Sequence, residues 1–448
     1  MNRQLFQQRV IERAVSASLE EAEAYSEFGE TLSIKVYDGE VETYSLADEG
    51  GVSLRAVVDG KMGYAYTEKL EERSIDFLMS TVRQNAQVID EPVTVSIFGG
   101  SEHYEKADFY ESALHEVEVD SLIDRLIELE RYVYSLDDRI VRVNQCGAQI
   151  FEAERSLTNT NGLALHERSN GFYVYVSVLV SNGEEKKTGY AMRLTRDIHS
   201  IDWNELAREA VREATESLGS RSIPSKKYKV LLRNDAATSL FKVFLSALSA
   251  EEVVRGTSRL KDQVGETIAS PSLTMIDDPS HAPTLSETTF DAEGVATKRQ
   301  TIIERGQLKT FFHNRETAKA LHVETTGHAY KPSYKGKLMV APHHLIIASG
   351  DVTREECIER LTDGVYITRL AGLHSGANAT TGDFSVAASG FYVENGTIAF
   401  PLRQMTIAGN FFDSLHDIEA IATDRYDGFG RLSMPSVLLR QLAVTIEQ

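Results

Sequence analysis

Leu32-Ser-Ile-Lys-Val36, Asp38-Gly39, Val52-Ser-Leu-Arg-Ala-Val-Val58, Asp59-Gly60 and Gly63-Tyr-Ala-Tyr66 decide the fold of the first part of this chain. The first run alternates apolar and polar residues, as a strand with one buried face does. Asp-Gly accepts positive φ at both central turn positions, so each pair predicts a tight hairpin. Together the runs predict a three-stranded meander. Leu5, Val10, Ile11, Ala14 and Val15 fall on a helical period and predict a helix over residues 3–18, with another at about 70–88. A similar order recurs: a helix at 119–136, strands near 140–146, 148–157, 162–168, 171–181 and 187–195, and a helix at 203–218. Helix–meander–helix thus appears twice, which hints at a duplication.

The 448 residues exceed what one core usually fills, so at least two domains are expected. Gly219-Ser-Arg-Ser-Ile-Pro-Ser-Lys-Lys227 collects small residues, a proline and basic charge, and marks the linker. The expected division is an N-terminal α+β domain over 1–222 and a β-rich domain over 223–448. In the second, Lys229-Val-Leu-Leu-Arg233 reads as a strand, followed by a helix at 235–251. Strands are expected around 286–304, 307–312, 337–348, 364–371, 383–400, 401–408, 417–423 and 433–446. Asn395-Gly396 is a hairpin turn, and Thr353-Arg-Glu-Glu356 opens a helix in capping-box form. The class is α+β, with a mostly antiparallel second domain holding few helices.

Basic residues number 47 against 67 acidic, a net charge of −20 that argues against nucleic acid as a partner. Cys146 and Cys357 stand far apart with no C-x-x-C spacing, as expected of a reducing compartment without disulfides. Met1 to Arg13 has no apolar core of a signal peptide, and no run of about 18 apolar residues spans a membrane. A cytoplasmic protein is expected.

Several strings resemble the TldD/PmbA family, known as modulators of DNA gyrase and as metallopeptidase subunits. They are Gly256-Thr-Ser258, Gln263-Val-Gly-Glu266, Phe290-Asp-Ala-Glu-Gly294, Ile303-Glu-Arg-Gly306, Thr326-Gly-His328, Thr381-Gly-Asp-Phe384, Val393-Glu-Asn-Gly396 and Thr406-Ile-Ala-Gly-Asn410. The resemblance implies two branches. One binds zinc through His-Glu-x-x-x-His and a later cysteine; the other, PmbA- or TldE-like, lacks these ligands and pairs with the first. Counting back from Gly256 at the zinc branch's spacing puts the first His at Phe241, the Glu at Lys242 and the second His at Ser246. None offers an imidazole, thiolate or carboxylate, and zinc needs three or four such ligands. The interval Gly364–Gly382, where the cysteine is expected, holds none. The resemblance therefore implies a subunit that binds no zinc or other cofactor of its own, with a TldD-like zinc peptidase as its partner. Peptide or unfolded polypeptide is the implied substrate, and a homodimer stays open when the partner is absent.

Other residues carry weaker signals. Phe241, Phe244, Leu245 and Leu248 fall at helical spacing and read as a packing stripe. His115-Glu116 and His166-Glu167 lack a second His at motif spacing. Adjacent His343 and His344 lie in a strand pattern and point to opposite faces, so both cannot hold one ion. His328 reads as a hydrogen-bonded structural residue. His374 lies near the missing cysteine, and an improvised metal site from His328, His374 and Asp383 is the rival reading. The Gly- and Thr-rich segment with Gly376, Asn378, Thr381, Gly382 and Asp383 reads as a loop lining a peptide groove or a tight β-turn, with His328 and His374 as further candidates for the groove. Asp291 and Glu293, before Gly294, read as alternate strand residues sharing one face, solvated or paired with Lys298 and Arg299. The expected function is that of a non-catalytic peptidase subunit; an autonomous peptidase or a regulatory binding protein of the gyrase-modulator kind are the alternatives.

Overall fold

The computed structural model describes residues 1–19 and 21–446. Both helix–meander–helix units are present. The first runs α1 (Arg3–Ser16), β1 (Glu21–Tyr37), β2 (Glu40–Val58), β3 (Lys61–Thr67) and α2 (Glu72–Gln87). The second runs α3 (Val119–Leu136), β4 (Ile140–Asn159), β5 (Ala164–Ser181), β6 (Lys186–Thr195) and α4 (Trp203–Glu216). They share one six-stranded sheet in the order β3-β2-β1-β4-β5-β6, with the first strand of each unit paired antiparallel at the centre. Asp38 and Gly39 sit at φ 54° and 77°, and Asp59 and Gly60 at 50° and 70°, the geometry the Asp-Gly pairs predict. The separate strands expected at 140–157 and 162–181 are two long ones, because β4 and β5 pair without a break from Gln145 and Ser177 to Thr158 and Ala164.

Side-chain alternation assigns the faces. On β1, Ala22, Ala24 and Phe28 pack under α1 and α2, while Ile34 and Val36 on the same face pack under α3 and α4. The intervening positions, among them Glu23 and Tyr25, face the second domain. There Tyr25, Leu157 and Leu163 meet Phe290 and Tyr334. The contact is otherwise rich in buried charge. Arg55 bonds Glu23 at 2.7 Å and lies 3.9 Å from Glu293, and Arg196 grips Glu287 at 2.6 and 2.9 Å. Lys331 Nζ donates to Ser53 Oγ at 2.8 Å and sits 4.8 Å from the Tyr25 ring centre.

The second domain comprises β7 (Lys226–Leu232), α5 (Asn234–Phe244), α6 (Ala250–Arg255), β8 (Met275–Asp277), β9 (Gln300–Glu304), β10 (Gln307–Leu308) and α7 (Arg315–Ala320). It continues through β11 (Ala329–Tyr330), β12 (Met339–Val340), β13 (Leu345–Ile347), α8 (Arg354–Leu361), β14 (Gly364–Ala371), α9 (Leu373–Gly376), β15 (Asp383–Glu394) and β16 (Thr397–Pro401). β17 (Met405–Asn410), α10 (Phe411–His416), β18 (Ile418–Tyr426) and β19 (Leu432–Ile446) complete it. Eleven of its strands form one sheet, mostly antiparallel, with parallel pairs β7–β14 and β13–β19. The expected helix at 235–251 is divided. α5 passes into a 3-10 turn over Leu245–Leu248, and α6 restarts with Ser249 as its N-cap. Three strand expectations also fail, and of 307–312 only β10 is strand. Of 286–304 only β9 is strand, and Asp291 to Gly294 is a tight turn closed by Gly294 N–H to Asp291 O. Of 337–348 only β12 and β13 form.

Candidate functional site

Phe241, Lys242 and Ser246 lie at the end of α5 and in the 3-10 turn after it. Phe241 is buried edge-to-face on Phe411 at 4.9 Å, and Phe244 stacks on Phe411 at 4.3 Å. Such ring contacts add to the apolar burial. Lys242 turns away from these rings and donates from Nζ to Phe429 O at 2.7 Å; burial lowers its pKa. Ser246 is exposed. A zinc ion does not fit here. The surrounding residues, Phe241, Phe244, Leu248, Phe411 and Phe412, offer no ligand atom, and the apolar space between them is only about 20 Å³.

Of the predicted groove residues, Gly376, Asn378, Thr381, Gly382 and Asp383 form one unit, while His328 does not join them. Asn378 Oδ1 accepts the amides of Thr380 and Thr381 at 3.0 and 3.1 Å. Asn410 Nδ2 donates to Asp383 Oδ1 and to Thr381 O, each at 2.9 Å. Hydrogen bonds from Asn410 and Thr381 hold the exposed Asp383 carboxylate below its usual pKa. Gly382 lies at φ +86°, and a Cβ there would stand 2.5 Å from the Phe412 ring. Gly376 is packed as closely, with Ser385 O 2.4 Å from where its Cβ would be. Residues Ser375–Ala379 and Asp383–Ser385 wall an open depression of about 730 Å³. His374 is exposed on α9. This arrangement can hold an extended chain through main-chain groups; it holds no paired acid and base.

His328 is elsewhere. It is fully buried, with Nε2 3.0 Å from Asp277 Oδ2 and Nδ1 2.8 Å from Thr326 Oγ1. No hydrogen bond or ring contact among the described residues joins it to His374 or Asp383. His343 and His344 diverge, as their adjacency predicts. His343 stacks on His328 at 4.9 Å and His344 on His281 at 4.8 Å. Asp277, His328 and His343 are one group able to hold a metal, and His281, His344 and Asp427 are another. Sequence reasoning missed Asp277, His281 and Asp427, because sheet pairing rather than any local spacing brings them in.

Asp291 and Glu293 are neither solvated nor paired with Lys298 or Arg299. Both are buried, since the turn that carries them plugs the contact with the first domain. Asp291 accepts the amides of Glu293, Val295 and Ala329, each at 2.9 Å. Burial, reinforced by the Glu293 charge, pushes its pKa up to about 7. Glu293 accepts the Arg315 amide at 2.9 Å and faces Arg55. Gly294 is required, at φ +82° with Leu163 2.7 Å from a Cβ.

Comparison with known proteins places this architecture. The PmbA/TldA metallopeptidase domain 1 matches residues 22–86, the central domain 113–218 and the C-terminal domain 225–446. A crystal structure from Thermotoga maritima, described as a candidate modulator of a DNA gyrase, is 30% identical, superposes with a TM-score of 0.91, and is covered completely by 99% of this chain. The chain belongs to the PmbA/TldD metallopeptidase family. Within it, the metalloprotease PmbA of Escherichia coli O157:H7 is 26% identical over 451 residues, 98% of this chain and 96% of that protein. TldE from Thermococcus kodakarensis shares the PmbA/TldD fold at a TM-score of 0.89 and 22% identity, over 98% of this chain and all of that one. The family's central-domain boundary falls inside the continuous six-stranded sheet. Among the described residues, no helix is long and apolar enough to cross a membrane.

Proposed function

We propose that this chain is the non-catalytic subunit of a two-subunit zinc metallopeptidase of TldD/TldE type. The pair cleaves unfolded polypeptide or matures a peptide precursor, in a cytoplasmic, reducing compartment where Cys146 and Cys357 stay as buried thiols. The catalytic zinc belongs to a TldD-like partner. One observation carries this reading: where the zinc branch has its ligands, Phe241 packs into an aromatic cluster, Lys242 is tied to Phe429 O and Ser246 is exposed. Without a metal-bound water or a general base at that position, peptide hydrolysis lacks its nucleophile. The open depression at Ser375–Ser385 supplies this subunit's share of substrate binding, through main-chain pairing with an extended peptide.

Co-expression with a paralogue bearing an intact His-Glu-x-x-x-His tests the proposal. The two chains are expected to co-elute on size exclusion and to digest casein or a short peptide, with the paralogue's His→Ala variant abolishing cleavage. Chelator-sensitive digestion by this chain alone overturns the reading, and so does failure of the two chains to associate.

A further inference from the structure

The group around His328 gathers one carboxylate and two imidazoles in a buried cluster. His343 Nε2 lies 2.6 Å from Gly327 O. A carbonyl accepts only from an N–H, so in the neutral ring Nδ1 bears the lone pair. Thr326 Oγ1 receives the His313 amide at 2.7 Å, and its one proton has two acceptors in reach, His328 Nδ1 at 2.8 Å and His313 O at 3.2 Å. His328 Nε2–H donates to Asp277 Oδ2 at 3.0 Å, and a metal would replace that proton, with Nδ1 then protonated and donating to Thr326 Oγ1. Asp277 Oδ1 is fixed by the His344 amide at 3.0 Å, leaving Oδ2 for His328. One carboxylate oxygen and two imidazole nitrogens thus converge, all within 4.8 Å of one another, on residues 0%, 0% and 8% exposed. The position between them, held by the Nε2 proton, is one a divalent metal can take.

We infer that Asp277, His328 and His343 form a structural divalent-metal site of the zinc class, separate from any catalytic metal in the family. The donor set, one carboxylate and two imidazoles, is one zinc accepts, with a water as fourth ligand. Every ligand is already anchored through its other polar atom, by Thr326, by Gly327 O and by the His344 amide, which is the outer shell a metal-bound His or Asp requires. Bonds of about 2.1 Å set tetrahedral ligand atoms about 3.4 Å apart, so binding needs only small side-chain shifts within the group. The ion would tie the end of β8 to the segments before β11 and β13 and close the long loop between them. The second group differs. Both His344 nitrogens are held by hydroxyls outside the group, Nε2 by Ser433 at 2.8 Å and Nδ1 by Thr284 at 3.1 Å, so a metal there would have to break one of these bonds.

The test uses the full chain, purified without tag or chelator and analysed for metal content. About one equivalent of zinc is expected after incubation with zinc and gel filtration, falling below about a tenth in H343Q and D277N. Cobalt(II) is expected to give the visible spectrum of a four-coordinate site in the wild type and none in H343Q. Chelator should lower the melting temperature of the wild type but not of H343Q, whose own melt reports that it folds. H281A is expected to retain the metal. Wild-type protein that takes up less than about a tenth of an equivalent overturns the assignment, as does metal retained by H343Q. None of these readouts depends on peptidase activity, so they stand apart from the test of the subunit's catalytic role.

Discussion

At the scale of single residues, Phe241 is where the functional reading and the packing meet. Its ring lies against Phe411, 4% exposed, in a cluster with almost no free space. Phe241→Ala removes most of that contact and leaves a cavity, so it is expected to lower the unfolding free energy by about 3–4 kcal/mol in a urea titration. Under the proposed function it should leave the turnover of the assembled complex per folded subunit unchanged, because no chemistry passes through this side chain. Loss of turnover with stability intact would give Phe241 a different role. The packing stripe was legible, since Phe241, Phe244 and Leu248 fall on one face of α5 and the turn after it, and all three are buried. The burial of Asp291 and Glu293 was not. A turn and a strand both fit an Asp-x-Glu-Gly string, and only the opposing sheet decides which side chains lose water.

Among the elements, the loop between α9 and β15 has a backbone that leaves little freedom. Gly382→Ala forces a side chain into the left-handed region and against Phe412. A cost of about 1–3 kcal/mol is expected from that strain. If the loop lines the substrate path, the complex should also show KM for a peptide raised several-fold with kcat little changed; an unchanged KM removes the loop from that path. Elements with strong local signals read well from sequence. The Asp-Gly and Asn-Gly turns adopt the φ values their residues favour, and the box at Thr353 and Glu356 caps α8 as expected. Between residues 256 and 345 the signals fail. The strands there are two to five residues long and held by long-range partners, so no period has room to develop. The same cause hid Asp277: β8 reaches His328 and His343 only by pairing with β13.

For the whole molecule, the contact between sheet and second domain is held by charge with little water. Lys331 reports on it. Burial, helped by the nearby Arg55, pushes its pKa down to about 8 from an ordinary 10.5. The unfolded chain then binds more protons than the folded one between those values, so stability rises as pH climbs through that window. Against Lys331→Met, which cannot titrate, the wild type should gain on the order of 2 kcal/mol between pH 7 and pH 10 in denaturant titrations. A difference that stays flat with pH shows that the ammonium is hydrated and the contact open. The central pairing of β1 with β4 has its own meaning for the molecule. Each is the opening strand of its unit, and they run antiparallel, so the sheet has the internal symmetry of a fused dimer. The chain from Val88 to Glu118 then acts as a tether: it raises the effective concentration of one half for the other, while the seam itself supplies the bonds.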